Sequence, residues 1–233
     1  MMKNILIIGA SSGTGAQLSK NLAAAGHNVT GTYNENTDYD VIPGVSMHQL
    51  NVMEDELNMD FIPETIDGLV YCVGSINLKP FKRIKPENFL EDFSLQVVGA
   101  IKVLQRITPH FKNSEAPSVV FFSTVAVQNG FNFHSQVSTS KGAIEGLTRA
   151  LAAELAPAIR VNCIAPSLTQ TPLASKLLSS EEKIEANDKR HPLGRIGQPE
   201  DLAQMAQFLL SSKSGWITGQ VFGVDGGMSV VKG

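Results

Sequence analysis

The chain of 233 residues is 42% hydrophobic and 18% charged, enough apolar content for a full core and too much for intrinsic disorder. Nineteen Lys and Arg against 22 Asp and Glu leave a formal charge of −3, too balanced for electrostatic capture of nucleic acid or an anionic membrane. Two cysteines, Cys72 and Cys163, each inside an apolar stretch, exclude a disulfide scaffold and fit a reducing cytoplasm.

Apolar runs of strand length alternate with segments of helical period. Ile5–Ile8 is a short β-branched run closed by Gly9, as for a strand buried on both faces. The lysine and apolar run of the N-terminus resemble a signal peptide, but the run is shorter than the roughly 7–15 residues such a region needs. Thr14–Ala25 predicts a helix stopped at Gly26, followed by strands at Val29–Tyr33, Val45–Leu50 and Gly68–Val73. About a dozen residues separate the second and third strands, so the helix between them is missing or reduced to a turn. Asn88–Phe111 carries apolar residues at steps of three and four and predicts one long helix. Strands follow at Ser118–Phe122, Arg160–Ile164 and Gln220–Val224, and helices at Ser138–Ala156 and Glu200–Leu210. The polar, turn-rich Pro172–Pro199 is either a mobile lid or a solvated helical loop. No segment reaches the roughly 18–20 apolar residues of a membrane helix. The alternation predicts an α/β, doubly wound fold, a parallel sheet sandwiched by helices in three layers, as a single domain over residues 1–233.

Between the first strand and the first helix stands Gly9-Ala10-Ser11-Ser12-Gly13-Thr14-Gly15. Glycines there let the chain turn tightly, so that backbone N–H groups approach a pyrophosphate at the positive end of a helix. The spacing is G-x-x-x-G-x-G, and on it the sequence resembles the short-chain dehydrogenase/reductase family. Ser138–Ala143, Arg160–Pro166, Pro192–Asp201 and Gly219–Gly227 extend the resemblance over essentially the whole chain, towards members of the 3-oxoacyl-carrier-protein reductase type.

The resemblance implies a Rossmann-type sheet of about seven parallel strands binding NAD or NADP. Gly9, Gly13 and Gly15 would hold the pyrophosphate, with Ser11, Ser12 and Thr14 in the same turn. Tyr33 and Asn34 end the second strand, Asn51 and Val52 stand at the adenine position, and Gly74 is what remains of a family Asn-Asn-Ala-Gly. Pro166, Thr169 and Thr171 match the nicotinamide side, and Lys141 would bind its ribose. A carboxylate at the end of the second strand marks NAD; here there is no acid until Glu35, so charge tips the expectation to NADP.

The family's catalytic Tyr-x-x-x-Lys is broken. Lys141 is in place, but four residues before it stands Val137, which can neither donate nor accept a proton. The three tyrosines are Tyr33, Tyr39 and Tyr71, so no shift of register restores one. Thr124 occupies the serine position and Gln96 that of the relay asparagine, and His134 is a nearby group suited to proton transfer. Two readings stay open: an NAD(P)-dependent oxidoreductase of small carbonyl or alcohol substrates with an altered acid, or a catalytically impaired dinucleotide-binding sensor or partner subunit. By resemblance the chain is a homotetramer or homodimer; no metal site is expected.

Overall fold

The computed structural model describes residues 2–231. Seven strands, β1 (Asn4–Ile8), β2 (Asn28–Tyr33), β3 (Val45–Gln49), β4 (Gly68–Tyr71), β5 (Ser118–Phe122), β6 (Arg160–Pro166) and β7 (Val221–Val224), form one sheet. Every pairing is parallel, in the order β3-β2-β1-β4-β5-β6-β7. Alternate residues of β1 face opposite ways, as a period of two requires. Ile5 and Ile7 pack under α1 (Gly13–Ala24) and α7 (Pro199–Leu210), while Leu6 and Ile8 pack under α3 (Gly99–Ile107) and α5 (Ser135–Leu155). The two cores lie on opposite faces of the sheet, which is the doubly wound, three-layer arrangement the sequence predicts.

Strand order reverses at β1, whose neighbours are β2 and β4. A crevice opens outside the carboxyl ends of strands at such a switch point, and that places the site.

Three local features depart from the sequence reading or sharpen it. The helix expected over Asn88–Phe111 is α2 (Pro86–Phe93), a π-helical turn (Ser94–Val98) and α3, ending in a 3-10 turn (Thr108–Phe111). Apolar spacing of three and four cannot distinguish an α-turn from a π-turn, so the sequence reads straight through it. Residues 34–44 between β2 and β3 contain no helix, as their number suggests, and residues 50–67 between β3 and β4 contain none either. Pro172–Pro199 holds a 3-10 helix (Pro172–Leu178) and α6 (Glu181–Asp188). The four-residue α4 (Ala126–Asn129) precedes α5. No helix among the described residues is long and apolar enough to cross a membrane.

Candidate functional site

A cleft of about 990 Å³ runs along the carboxyl ends of the strands. Strands are about 4.8 Å apart, so from the end of β2 to the end of β6, four places along the sheet, it spans roughly 19 Å.

Its floor is the turn from β1 into α1. Gly9 and Gly13 have positive φ (86° and 53°), and a Cβ on Gly15 would sit 2.1 Å from the Gly9 carbonyl oxygen. Only glycine fits there. Thr32 holds the turn down: its Oγ1 accepts from Gly9 N–H and its carbonyl from Ala10 N–H. No side chain caps α1 and no acid stands in its first turn, so the positive end of a twelve-residue helix faces the cleft. That is a ready anion site.

At the β2 end the wall is Tyr33, Asn34, Glu35 and Asn36, with Asn51 and Val52 from beyond β3. Asn36 Nδ2 donates to the Ser11 carbonyl and ties this wall to the glycine turn. Asn51 Oδ1 accepts from Met53 N–H at 3.0 Å, which fixes its amide. Among the described residues no cation lines this end; Lys20, on α1, is paired with Asp40. The tyrosines are also accounted for. Tyr33 and Tyr39 lie with ring centroids 5.1 Å apart. Tyr71 is buried and donates to the Leu95 carbonyl inside the π-turn, where burial pushes its phenol far above its usual range.

At the β5–β6 end the cleft is lined by Thr124, Val137, Lys141, Pro166, Thr169 and Thr171. Ser123 N–H donates to the Ile164 carbonyl and Val125 N–H to that of Pro166, so the two strand ends run side by side with Thr124 between them. Adjacent Ser123 turns inward and donates to buried Glu145, leaving Thr124 as the hydroxyl at the cleft. Lys141, only 9% exposed, has its pKa pulled down to about 8 by burial, with Cys163, Asp92 and Cys72 nearby acting in the opposite sense. Burial pushes both thiols up to about 12, so neither is a ready nucleophile.

Every residue the sequence proposes for the cofactor lines this cleft: Gly9, Ser11, Ser12, Gly13, Thr14, Gly15, Tyr33, Asn34, Asn51, Val52, Gly74, Lys141, Pro166, Thr169 and Thr171. Thr124 and His134 join them; Gln96 does not. It is buried behind the wall, on the π-turn, with Nε2 donating to Asp92 at 2.8 Å and Oε1 left without a partner. A Cβ on Gly74 would lie 3.4 Å from that oxygen and 3.5 Å from Lys141 Nζ, so both side chains close on the same glycine. Asp92 also accepts from Ser140 at 2.6 Å and from Ser75. One buried carboxylate thus organises three donors beside a buried ammonium.

Sequence reasoning missed this cluster, and it missed Ser167 and His191. Ser167 directly follows Pro166, and its Oγ lies 2.8 Å from Nε2 of His191, which is 4% exposed. Nothing in the sequence pairs two residues 24 apart in a loop region, although both adjoin motifs quoted above.

The comparisons with known proteins agree with this geometry. Residues 9–229 match the family described as Enoyl-(Acyl carrier protein) reductase. The chain belongs to the short-chain dehydrogenase/reductase family, a family of oxidoreductases. It is 33% identical to the 3-oxoacyl-(acyl-carrier-protein) reductase of Thermotoga maritima over 243 residues, covering 98% of each chain. Aldohexose dehydrogenase of Thermoplasma acidophilum superposes with a TM-score of 0.92 at 26% identity, covering 99% of this chain and 95% of that one. ElxO with NADP bound superposes at 0.87 and 25% identity, covering 98% and 99%.

Proposed function

We propose that this chain is an NAD(P)-dependent oxidoreductase that interconverts a small ketone and its alcohol, with an acid other than tyrosine. The observation that carries the reading is the meeting, in one cleft, of the uncapped turn Gly9–Gly15 with Lys141 and Thr124. The residues present fit a dinucleotide. The Gly15 cradle is one a Cβ would fill, the positive end of α1 suits a pyrophosphate, and the cleft's length suits two linked nucleotides. Bound there, the reduced coenzyme supplies hydride.

The chain's own residues do the rest. Gly13, Thr14 and Gly15 hold phosphate oxygens through backbone N–H groups, and Lys141 donates to a ribose hydroxyl. Thr124 orients the carbonyl oxygen through its hydroxyl. Leu78, Leu168, Leu173 and Leu177 offer an apolar wall and exclude water, which favours a substrate with an apolar body. On coenzyme choice, Glu35 in the wall at the β2 end and the lack of a cation there weigh towards NAD, against the expectation from the strand end alone.

A second reading, a dinucleotide-binding sensor, is favoured by Val137, an isopropyl group in the cleft wall one turn before Lys141. A panel of ketones and 3-oxoacyl thioesters with NADH and NADPH separates the two. The oxidoreductase reading expects micromolar coenzyme binding, measurable turnover, and at least tenfold faster turnover in Val137→Tyr. Binding without turnover in both proteins selects the sensor; no binding of either coenzyme sinks both.

A further inference from the structure

We propose that Ser167 and His191 form the proton relay of this site, Ser167 giving its hydroxyl proton to the carbonyl oxygen and His191 replacing it. The inference rests on the oxidoreductase reading above.

The pair has the geometry of an activated hydroxyl. A hydroxyl, a base within hydrogen-bond reach and a third group that orients the base make the recurring signature. Here Ser167 Oγ is 2.8 Å from His191 Nε2, and His191 Nδ1 is 2.7 Å from the Asn187 carbonyl. A carbonyl only accepts, so in the neutral ring Nδ1 carries the hydrogen and Nε2 accepts from Ser167. Met228 Sδ, at 3.0 Å, is the other partner available to that hydroxyl. Once Nε2 is protonated it donates to Oγ, and the serine proton must turn elsewhere. Ser167 and His191 both line the cleft, and the bond from Val125 N–H to the Pro166 carbonyl ties the segment that carries Ser167 to the one that carries Thr124.

Position separates His191 from His134. His134 is the N-cap of α5, and its Nδ1 lies 2.8 Å from the Asn132 carbonyl two residues back, in an exposed bond to its own loop with no hydroxyl partner. His191 stands just past the last turn of α6, and Asn187 belongs to that turn, so the ring faces a negative pole. The charged groups around it are engaged elsewhere. Asp188 accepts from Ile196 N–H, Asp225 from Gly227 N–H and Ser229, and Arg190 lies over the Phe131 ring. No carboxylate lies within salt-bridge distance of His191 among the described residues.

In the direction of reduction the balance is complete. The carbonyl carbon gains hydride from the reduced coenzyme, and the π pair moves to oxygen. That oxygen takes the Ser167 proton, and Oγ takes the Nε2 proton of the protonated His191 ring. The ring, left neutral with its hydrogen on Nδ1, takes up a proton from a solvent hydronium ion, so that each turnover consumes one hydride and one solvent proton.

The test uses wild type, Ser167→Ala, His191→Gln, Val137→Tyr and the double variant Val137→Tyr/Ser167→Ala. Coenzyme affinity by fluorescence is expected to stay within about threefold throughout, which shows each protein folded. Ser167→Ala and His191→Gln should lower kcat about 10²- to 10⁴-fold with little change in KM. In the Val137→Tyr background, Ser167→Ala should cost less than threefold, because the tyrosine supplies the proton; a merely structural role for Ser167 would cost the same in both backgrounds. Independently of turnover, ¹⁵N shifts of the coenzyme-free protein, recorded at alkaline pH where the ring is neutral, should show His191 as the Nδ1–H tautomer, with Nε2 shifting in Ser167→Ala. On acidification Nε2 should be the nitrogen that gains the proton. A kcat within threefold of wild type in Ser167→Ala, or an Nε2–H tautomer, overturns the relay. Wild type that binds coenzyme and reduces nothing overturns the oxidoreductase reading itself, and the relay with it.

Discussion

Around β2 and β3 the polar groups of the cleft wall, Asn34, Glu35 and Asn36, are exposed and Asn51 half-buried, with no helix in either crossover. Around β5 and β6 the wall is backed by buried polar groups: Asp92 with its three donors, Lys141, and the Ser167–His191 pair. The first end can only recognise, since its groups are solvated and their interactions are screened. The second can do chemistry, because protonation there depends on fixed partners in a poorly hydrated setting.

The largest expected effect breaks the support the two ends share. Gly15→Ala places a methyl against the Gly9 carbonyl, so coenzyme affinity should fall more than 100-fold, with a stability loss of about 1–3 kcal/mol from overpacking. Titration of the variant with NADH checks this; unchanged affinity would remove the glycine turn from the site.

Next comes Lys141, whose burial should show in stability as well as in coenzyme binding. Its folded pKa of about 8 lies below the ordinary 10.5, so the folded state disfavours the ammonium, at a cost on the order of 3 kcal/mol below pH 8. Between about pH 8 and 10.5 the unfolded chain holds a proton the folded chain has released, so this group makes stability rise with pH. Lys141→Met should abolish that rise. Denaturant unfolding of both proteins from pH 7 to 10 measures it, and parallel curves would show Lys141 to be well solvated.

The smallest effect belongs to the exposed end. Glu35→Lys should shift the ratio of NADPH to NADH affinity about tenfold towards NADPH, roughly 1.4 kcal/mol, and the gain should shrink at high salt. A shift of thousandfold would mean that this end is far better shielded than its exposure implies.

Much of the fold was legible because strands buried on both faces write themselves as continuous apolar runs, as Ile5–Ile8 and Ser118–Phe122 do. The bare β2–β3 crossover was legible from chain length. The cleft floor was legible because the turn Gly9–Gly15 imposes a spacing that backbone geometry enforces. That Gln96 stands behind the cleft wall was not legible: a π-turn adds a residue to the helical circuit and rotates the side chains on it, with no compositional mark. Ser167 and His191 stayed hidden because their pairing is made by α6 folding back towards the end of β6, a tertiary event that no local pattern records.

The two bare crossovers also bear on how the molecule breathes. β3 is an edge strand with one neighbour, mostly partly exposed residues and no helix laid across the segments on either side. Local opening costs least where few apolar contacts must part, so the sheet loosens from this edge while β4–β6 stay closed. A ligand that touches both ends of the cleft would tie the loose edge to the firm centre, and its arrival would be felt first as order in β3.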